Sequence, residues 1–183
     1  MNDIQAFRLA PGKPVRLSDF DPNETGPFRK KKDAREQLER ERRRLRELQD
    51  VLYAEGKHAL LIILQAMDAG GKDGTIRHVM RGLNPQGVTV ASFKQPTPEE
   101  LAHDFLWRVH QHVPCKGQIG VFNRSHYEDV LVVRVHELVP EETWRRRYEQ
   151  INEFEELLAE TGTRIIKLFL YISKDEQKER LQA

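Results

Sequence analysis

Four short apolar runs punctuate the chain, at 58–65, 88–93, 118–123 and 164–172, and turn or loop residues bound them. The first, His58 to Gln65, is a continuous aliphatic run that predicts a strand buried on both faces, for which a parallel sheet is the natural host, and the other three also fit strands. Between them lie helical signals. From Lys31 to Glu55, Ala34, Leu38, Leu45, Leu48 and Leu52 recur three, four or seven positions apart. That spacing predicts a charged rod with one narrow apolar stripe, ended by Gly56. A second helix is expected over about 74–83, followed by an Asn84-Pro-Gln-Gly87 turn. Thr97-Pro-Glu-Glu100 combines a capping box with proline at the first helical position, predicting a helix that runs to about His112. A helical region follows over 125–160 with a break near Pro140, and Ser173-Lys-Asp-Glu176 opens a last helix.

Strands alternating with helices at this spacing argue for a three-layer α/β domain with right-handed crossovers, in which ligands sit at the carboxyl ends of the strands. Residues 1–28 contain four of the nine prolines, Pro11, Pro14, Pro22 and Pro27, without lasting periodicity, and read as an extended arm lying on the rest. The chain thus divides into an arm (1–28), a charged helix (29–56) and a core (57–183).

Composition narrows the class. A chain of 183 residues suits one domain, and 38% hydrophobic with 32% charged residues is too apolar for disorder. Thirty basic against 29 acidic residues cancel to +1, less excess than a dedicated nucleic-acid binder carries. The single cysteine, Cys115, forms no internal disulfide, and the longest aliphatic run, Ala59 to Leu64, is far short of a membrane span. The expectation is a soluble, cytoplasmic protein that engages neither nucleic acid nor membrane.

The most informative segment is Gln65-Ala-Met-Asp-Ala-Gly-Gly-Lys-Asp-Gly-Thr75, which leaves an apolar strand and enters a helix. Gly70 and Gly71 let successive N–H groups turn inward at a helix N-terminus, and Lys72 adds a point charge for phosphate oxygens. The match to the G-x-x-x-x-G-K-[ST] loop (Walker A) is partial. Ala66 takes the first glycine position, and Asp73 stands where a magnesium-binding hydroxyl is usual. Ala69, Gly70, Gly71, Lys72, Asp73, Gly74 and Thr75 are the candidate phosphate contacts, joined by Arg77, Arg81 and Lys94 from nearby positions. Asp68 is a carboxylate inside a loop built for anions, which makes sense with a divalent cation between it and phosphate, or as a cap on the helix N-terminus.

The third strand delivers Asn123-Arg-Ser-His-Tyr-Glu-Asp129 to the same sheet edge. Arg124 is a natural fork for a transferring phosphoryl group, or the partner of Asp129 in a structural salt bridge. Asn123, Arg124, Glu128 and Arg134 are the candidate nucleotide contacts, and His126, Tyr127, Trp107 and Trp144 read as packing. Between Arg29 and Arg46, ten basic and four acidic residues form either a solvated helix face or a polyanion track.

These segments resemble the polyphosphate kinase 2 family. The resemblance rests on LLIILQAMDAGGKDGTIRHVMRGLNPQGVTVASFKQPTPEELAHDFLWRVHQHVP, IGVFNRSHYEDVLVVRVHELVP and FLYISKDEQKERL. It implies a P-loop, thymidylate-kinase-like fold and phosphoryl transfer, dependent on magnesium or manganese, between inorganic polyphosphate and an adenine or guanine nucleotide. It also implies the branch that accepts AMP and ADP, and a homo-oligomer is expected. By position, Asp68, Lys72, Arg124 and Asp129 match the family's catalytic residues, with Asp68 and Asp129 expected to hold the metal. Many relatives have aspartate in place of Asn123. Relatives continue past the SKDEQKERL helix into an arginine- and lysine-rich lid and further helices, which the resemblance places beyond Ala183. An ATP-dependent kinase on the same fold and a non-catalytic phosphate-loop protein are the alternatives.

Overall fold

The computed structural model describes residues 7–10 and 12–183. Four strands, β1 (Ala59–Ala66), β2 (Val88–Ser92), β3 (Ile119–Asn123) and β4 (Thr163–Leu170), form one parallel sheet in the order β2-β3-β1-β4. Each lies within two residues of its predicted limits. The α-helices of the described residues are α1 (Lys31–Glu55), α2 (Lys72–Val79), α3 (Pro98–Leu101), α4 (Trp107–His110), α5 (Glu128–Val135), α6 (Glu141–Glu160) and α7 (Lys174–Gln182).

Alternation along the central strands sends side chains to two separate cores. Leu61, Ile63 and Phe122 meet Val109 of α4 and Phe154 and Leu158 of α6 on one face. Leu64, Ile119 and Val121 meet Leu52 of α1 and Ile76 of α2 on the other. The result is the predicted three-layer parallel α/β architecture, with the central strands β1 and β3 covered and the edge strands β2 and β4 largely exposed. Among the described residues, no helix is long and apolar enough to cross a membrane. The described part of the arm is mostly exposed and carries one 3₁₀ turn, Leu17–Asp19, while residues 1–6 and Pro11 of the predicted arm lie outside the described residues.

Three local expectations are corrected. The helix predicted from Thr97 to His112 is two single turns, α3 and α4, although the Thr97/Glu100 capping box forms as expected. The Asp104 carboxylate accepts from the Leu106 N–H at 2.9 Å, and such a side chain competes with the helical ladder. The helix expected over 74–83 begins two residues earlier, at Lys72, and ends at Val79. On α1, Leu48 is 49% exposed, and the buried seats belong to Arg42 and Gln49. Both reach backbone groups, and Arg42 also pairs with Glu39. Arg42 Nε donates to the His78 carbonyl at 2.5 Å, while Gln49 donates to the Asn84 carbonyl and accepts from the Asn84 N–H, each at 2.8 Å. The stripe counted from apolar residues alone therefore missed the two polar side chains that bind α1 to the end of α2 and to the turn before β2. Arg42 thereby leaves the solvated face, whereas Lys32 and Arg44 keep exposed partners in Glu36 and Glu47.

Gln49→Leu keeps the volume but leaves the Asn84 N–H and C=O without their partner. It should lower stability by about 2 kcal/mol in urea unfolding, and an unchanged midpoint would show that water replaces both bonds.

Candidate phosphate-binding site

Parallel pairing fixes which chain segments meet. Leu64 of β1 faces Asn123 of β3, and Asn123 also faces Ser92 of β2. The segments after all three strands therefore leave the sheet at one edge.

After Ala66 the chain turns sharply, with the Gly70 N–H donating to the Met67 carbonyl at 3.0 Å. A β-carbon on Gly70 would lie 2.5 Å from the Ala66 Cβ, so the close approach requires glycine. Ala69 and Gly71 both have positive φ, at 58° and 91°. Gly71 is the N-cap of α2 and supplies no side-chain cap, which leaves the first helical N–H groups for an anion. Lys72 is buried beneath the loop, and its Nζ donates to the carbonyls of Ala66 and Met67 at 3.0 and 3.3 Å. Burial, reinforced by the nearby Arg124, lowers its pKa against the opposing pull of Asp68, Glu128 and Asp73.

Arg124 closes the other side of the loop. It adopts a left-handed φ of 62°, unusual for a residue with a β-carbon, and its N–H donates to the Leu64 carbonyl at 3.0 Å. The guanidinium meets Asp68 Oδ1 at 2.6 Å and Glu128 at 3.6 Å. The alternative pairing of Arg124 with Asp129 is thus not formed. Asn123 donates to Asp73 Oδ1 at 2.5 Å, tying the end of β3 to the first turn of α2, where an acidic side chain also suits the helix dipole.

Asp129 is turned inward. Its carboxylate lies 3.4 Å from Arg108 and 3.5 Å from Arg147, and its carbonyl accepts from Arg147 at 3.0 Å. Burial raises its pKa, against the opposing pull of those arginines. Arg108 also donates to the Lys94 carbonyl at 2.9 Å, and Arg147 lies over the Phe105 ring at 4.7 Å. Arg147 also lines a cleft of about 790 Å³ between α6 and the 103–106 loop.

The structure brings together Asp68, residues 69–75, Asn123, Arg124 and Glu128, with Lys94 exposed at the same edge. The side chains of Arg77, Arg81 and Arg134 make no hydrogen bond or ion pair with the loop among the described residues. Arg77 and Arg81 line a shallow cleft with His78 and Met80, and Arg134 lies over the Trp144 ring at 4.9 Å.

Sequence reasoning missed several supports. Ser125 accepts from Gln65 at 3.2 Å and from the Tyr127 N–H at 3.2 Å, fixing the turn after Arg124. Gln177 and Arg180 of α7 reach across to donate to the carbonyls of Asp68 and Ala69 at 2.9 and 3.1 Å. No spacing signal links positions 68 and 180. Glu155 was another omission. It receives His126 at 3.2 Å, Tyr127 at 2.7 Å and Lys167 at 2.6 Å, so His126 and Tyr127 serve as anchors of the turn as well as packing.

Burial alone would raise the Glu155 carboxyl, but those three donors outweigh it and hold the pKa at about 2, below its ordinary 4.5. A depressed carboxyl stabilises the fold above its unfolded pKa, and that stability is lost as pH falls from 4.5 toward 2. The difference in melting temperature between wild type and Glu155→Gln should shrink over this window. A constant difference would mean that the charge of Glu155 contributes nothing.

Comparison with known proteins agrees with this geometry. The family described as Polyphosphate kinase 2 (PPK2) matches residues 28–183. The AMP/ADP-polyphosphate phosphotransferase of Meiothermus ruber is 58% identical over 180 residues, covering 98% of this chain and 67% of that protein. The ADP-polyphosphate phosphotransferase of Rhodopseudomonas palustris is 49% identical over 190 residues, covering 97% of this chain and 65% of that protein. The crystal structure of polyphosphate kinase 2 from Arthrobacter aurescens TC1 superposes with a TM-score of 0.92 at 47% identity, over 98% of this chain and 64% of that one. The chain spans about two thirds of the length of these relatives. With its phosphate loop, its NRSHYED segment and nearly all of its length matched, the chain belongs to the polyphosphate kinase 2 family.

Proposed function

We propose that this chain forms the phosphate-loop core of a kinase that moves a phosphoryl group between inorganic polyphosphate and AMP or ADP. The observation that carries this reading is the cradle of Gly70, Gly71 and Lys72 directly opposite the Asp68–Arg124 pair. In the forward direction, a terminal phosphate oxygen of the nucleotide forms a bond to the end phosphorus of polyphosphate. The bond to the next phosphate breaks, and the chain leaves one phosphate shorter. Such a transfer requires positioning and charge stabilisation and no covalent intermediate.

The residues present suit each part of that task. The open N–H groups of α2 and the amine of Lys72 hold the donor, and the Arg124 fork sits where charge on the transferring group would develop. Among the described residues, no cluster of three or more metal-ligating side chains occurs. Magnesium does not require one, because it binds through one or two carboxylates and completes its shell with phosphate and water. Asp68 fits that role, being 71% exposed with Arg124 on a single oxygen. Asp129 fits through loose contacts, since 3.4 and 3.5 Å exceed the ~2.7–2.9 Å of a close charge-assisted bond. The ion would neutralise phosphate charge. Asp73, held by Asn123 where ATP-type loops place a magnesium-binding hydroxyl, supports a polyphosphate donor over ATP. The single exposed cysteine, Cys115, suits a reducing cytoplasm.

Incubating the full protein with polyphosphate, magnesium and AMP or ADP should yield ADP or ATP. Lys72→Ala should lower kcat by ~10²–10³-fold, the worth of one preorganised donor. A rise in KM for polyphosphate alone would make Lys72 a binding residue. Asp68→Asn and Asp129→Asn should each abolish most turnover, and near-normal turnover in either folded variant would remove that carboxylate from the metal site.

A further inference from the structure

Arg180 is the one guanidinium that α7 places over the phosphate loop, and neither the loop motif nor the NRSHYED segment includes it. Its Nη1 donates to the Ala69 carbonyl at 3.1 Å and lies 3.4 Å from where a β-carbon of Gly71 would stand. The charge therefore sits against the N-cap of α2, at the mouth of the anion cradle.

Three observations separate this contact from simple helix docking. Docking is already served by a neutral neighbour, since Gln177 donates to the Asp68 carbonyl at 2.9 Å from the same helix. A cation beside the positive end of a helix is unfavourable, so a guanidinium is a poor choice unless an anion joins it. The donors are also mostly uncommitted. Arginine has five N–H groups, and here Nε goes to Glu176 at 2.6 Å and one Nη1–H to Ala69. The remainder, including both on Nη2, have no protein partner among the described residues. By contrast, Lys72 spends two of its three donors on loop carbonyls, and Arg124 is drawn to Asp68 and Glu128.

We propose that Arg180 is a phosphate-contacting residue of this loop, a half-exposed fork that takes oxygens of a polyphosphate chain seated on α2. Adjacent phosphates present paired oxygens to a planar guanidinium, the geometry that arginine satisfies and lysine does not. The inference rests on the reading of the loop as the polyphosphate seat. It adds that the seat is completed from a helix more than a hundred residues further along the chain.

The test is calorimetric titration of the full protein with inorganic tripolyphosphate and magnesium, comparing wild type, Arg180→Gln and Arg180→Lys. Glutamine keeps a donor for the Ala69 carbonyl and removes the charge. If Arg180 contacts phosphate, Arg180→Gln should bind about tenfold more weakly, with the deficit shrinking as salt rises, and Arg180→Lys should recover part of the loss. Wild-type affinity in Arg180→Gln would overturn the phosphate contact and leave Arg180 as a docking residue. Absence of tripolyphosphate binding in the wild type would instead overturn the seat itself, and the Arg180 contact with it. Thermal melts of the variants identify any loss of fold, and in that event Arg180→Lys alone decides: affinity well below wild type supports the fork, and equal affinity overturns it.

Discussion

The site depends on the parallel pairing of β1 with β3, in register from Leu60 opposite Ile119 to Leu64 opposite Asn123. Both strands are buried, with Leu61, Val121 and Phe122 fully so. Every polar group that follows them must therefore appear where the strands end. The register decides what meets there. A shift of one residue would exchange the faces of the strand, placing Phe122 with the α1–α2 layer and moving Arg124 away from the loop. Hydrophobic burial across the two cores thus sets a distance that no hydrogen bond at the site could hold alone.

Given that edge, the charges organise themselves in two tiers. On the outer tier, Arg124 and Arg180 are interleaved with Asp68, Glu128 and Glu176 above the buried Lys72, so each charge has an opposite neighbour or a carbonyl. Exposed pairs of this kind contribute little to stability, and so exchange partners at little cost. The inner tier is built differently. Asp129 between Arg108 and Arg147, and Glu155 among His126, Tyr127 and Lys167, are largely buried, and removing one member would leave a desolvated charge without its counterpart. The inner clusters fix the backbone of the NRSHYED turn, including the strained Arg124, while the charges of the outer tier can exchange partners.

The same division appears on α1. Its charged length suggested a solvated face or a polyanion track, yet Arg42 and Gln49 are among its most buried residues. They point at backbone groups that α2 and the turn at Asn84 leave open, and a count of apolar positions has no means of assigning them.

The sequence alone determined the elements and the chemistry of the loop, because both depend on local patterns. The aliphatic run of β1, ended by a glycine-rich loop, points to a covered strand, and Gly70-Gly71-Lys72 between a strand and a helix has few other uses. The family resemblance was legible for the same reason, as its motifs are contiguous. What tertiary structure decided were the partners: Asp68 rather than Asp129 for Arg124, Asn123 for Asp73, two arginines for Asp129, and α7 over the loop. Each joins positions from about 20 to more than 100 residues apart. Opposite charges attract without regard to sequence separation, so only the placement of the backbone selects among several carboxylates and several guanidiniums. The broken helix at 102–106 has a similar cause, since whether Asp104 caps a turn or faces solvent depends on how the chain is held around it.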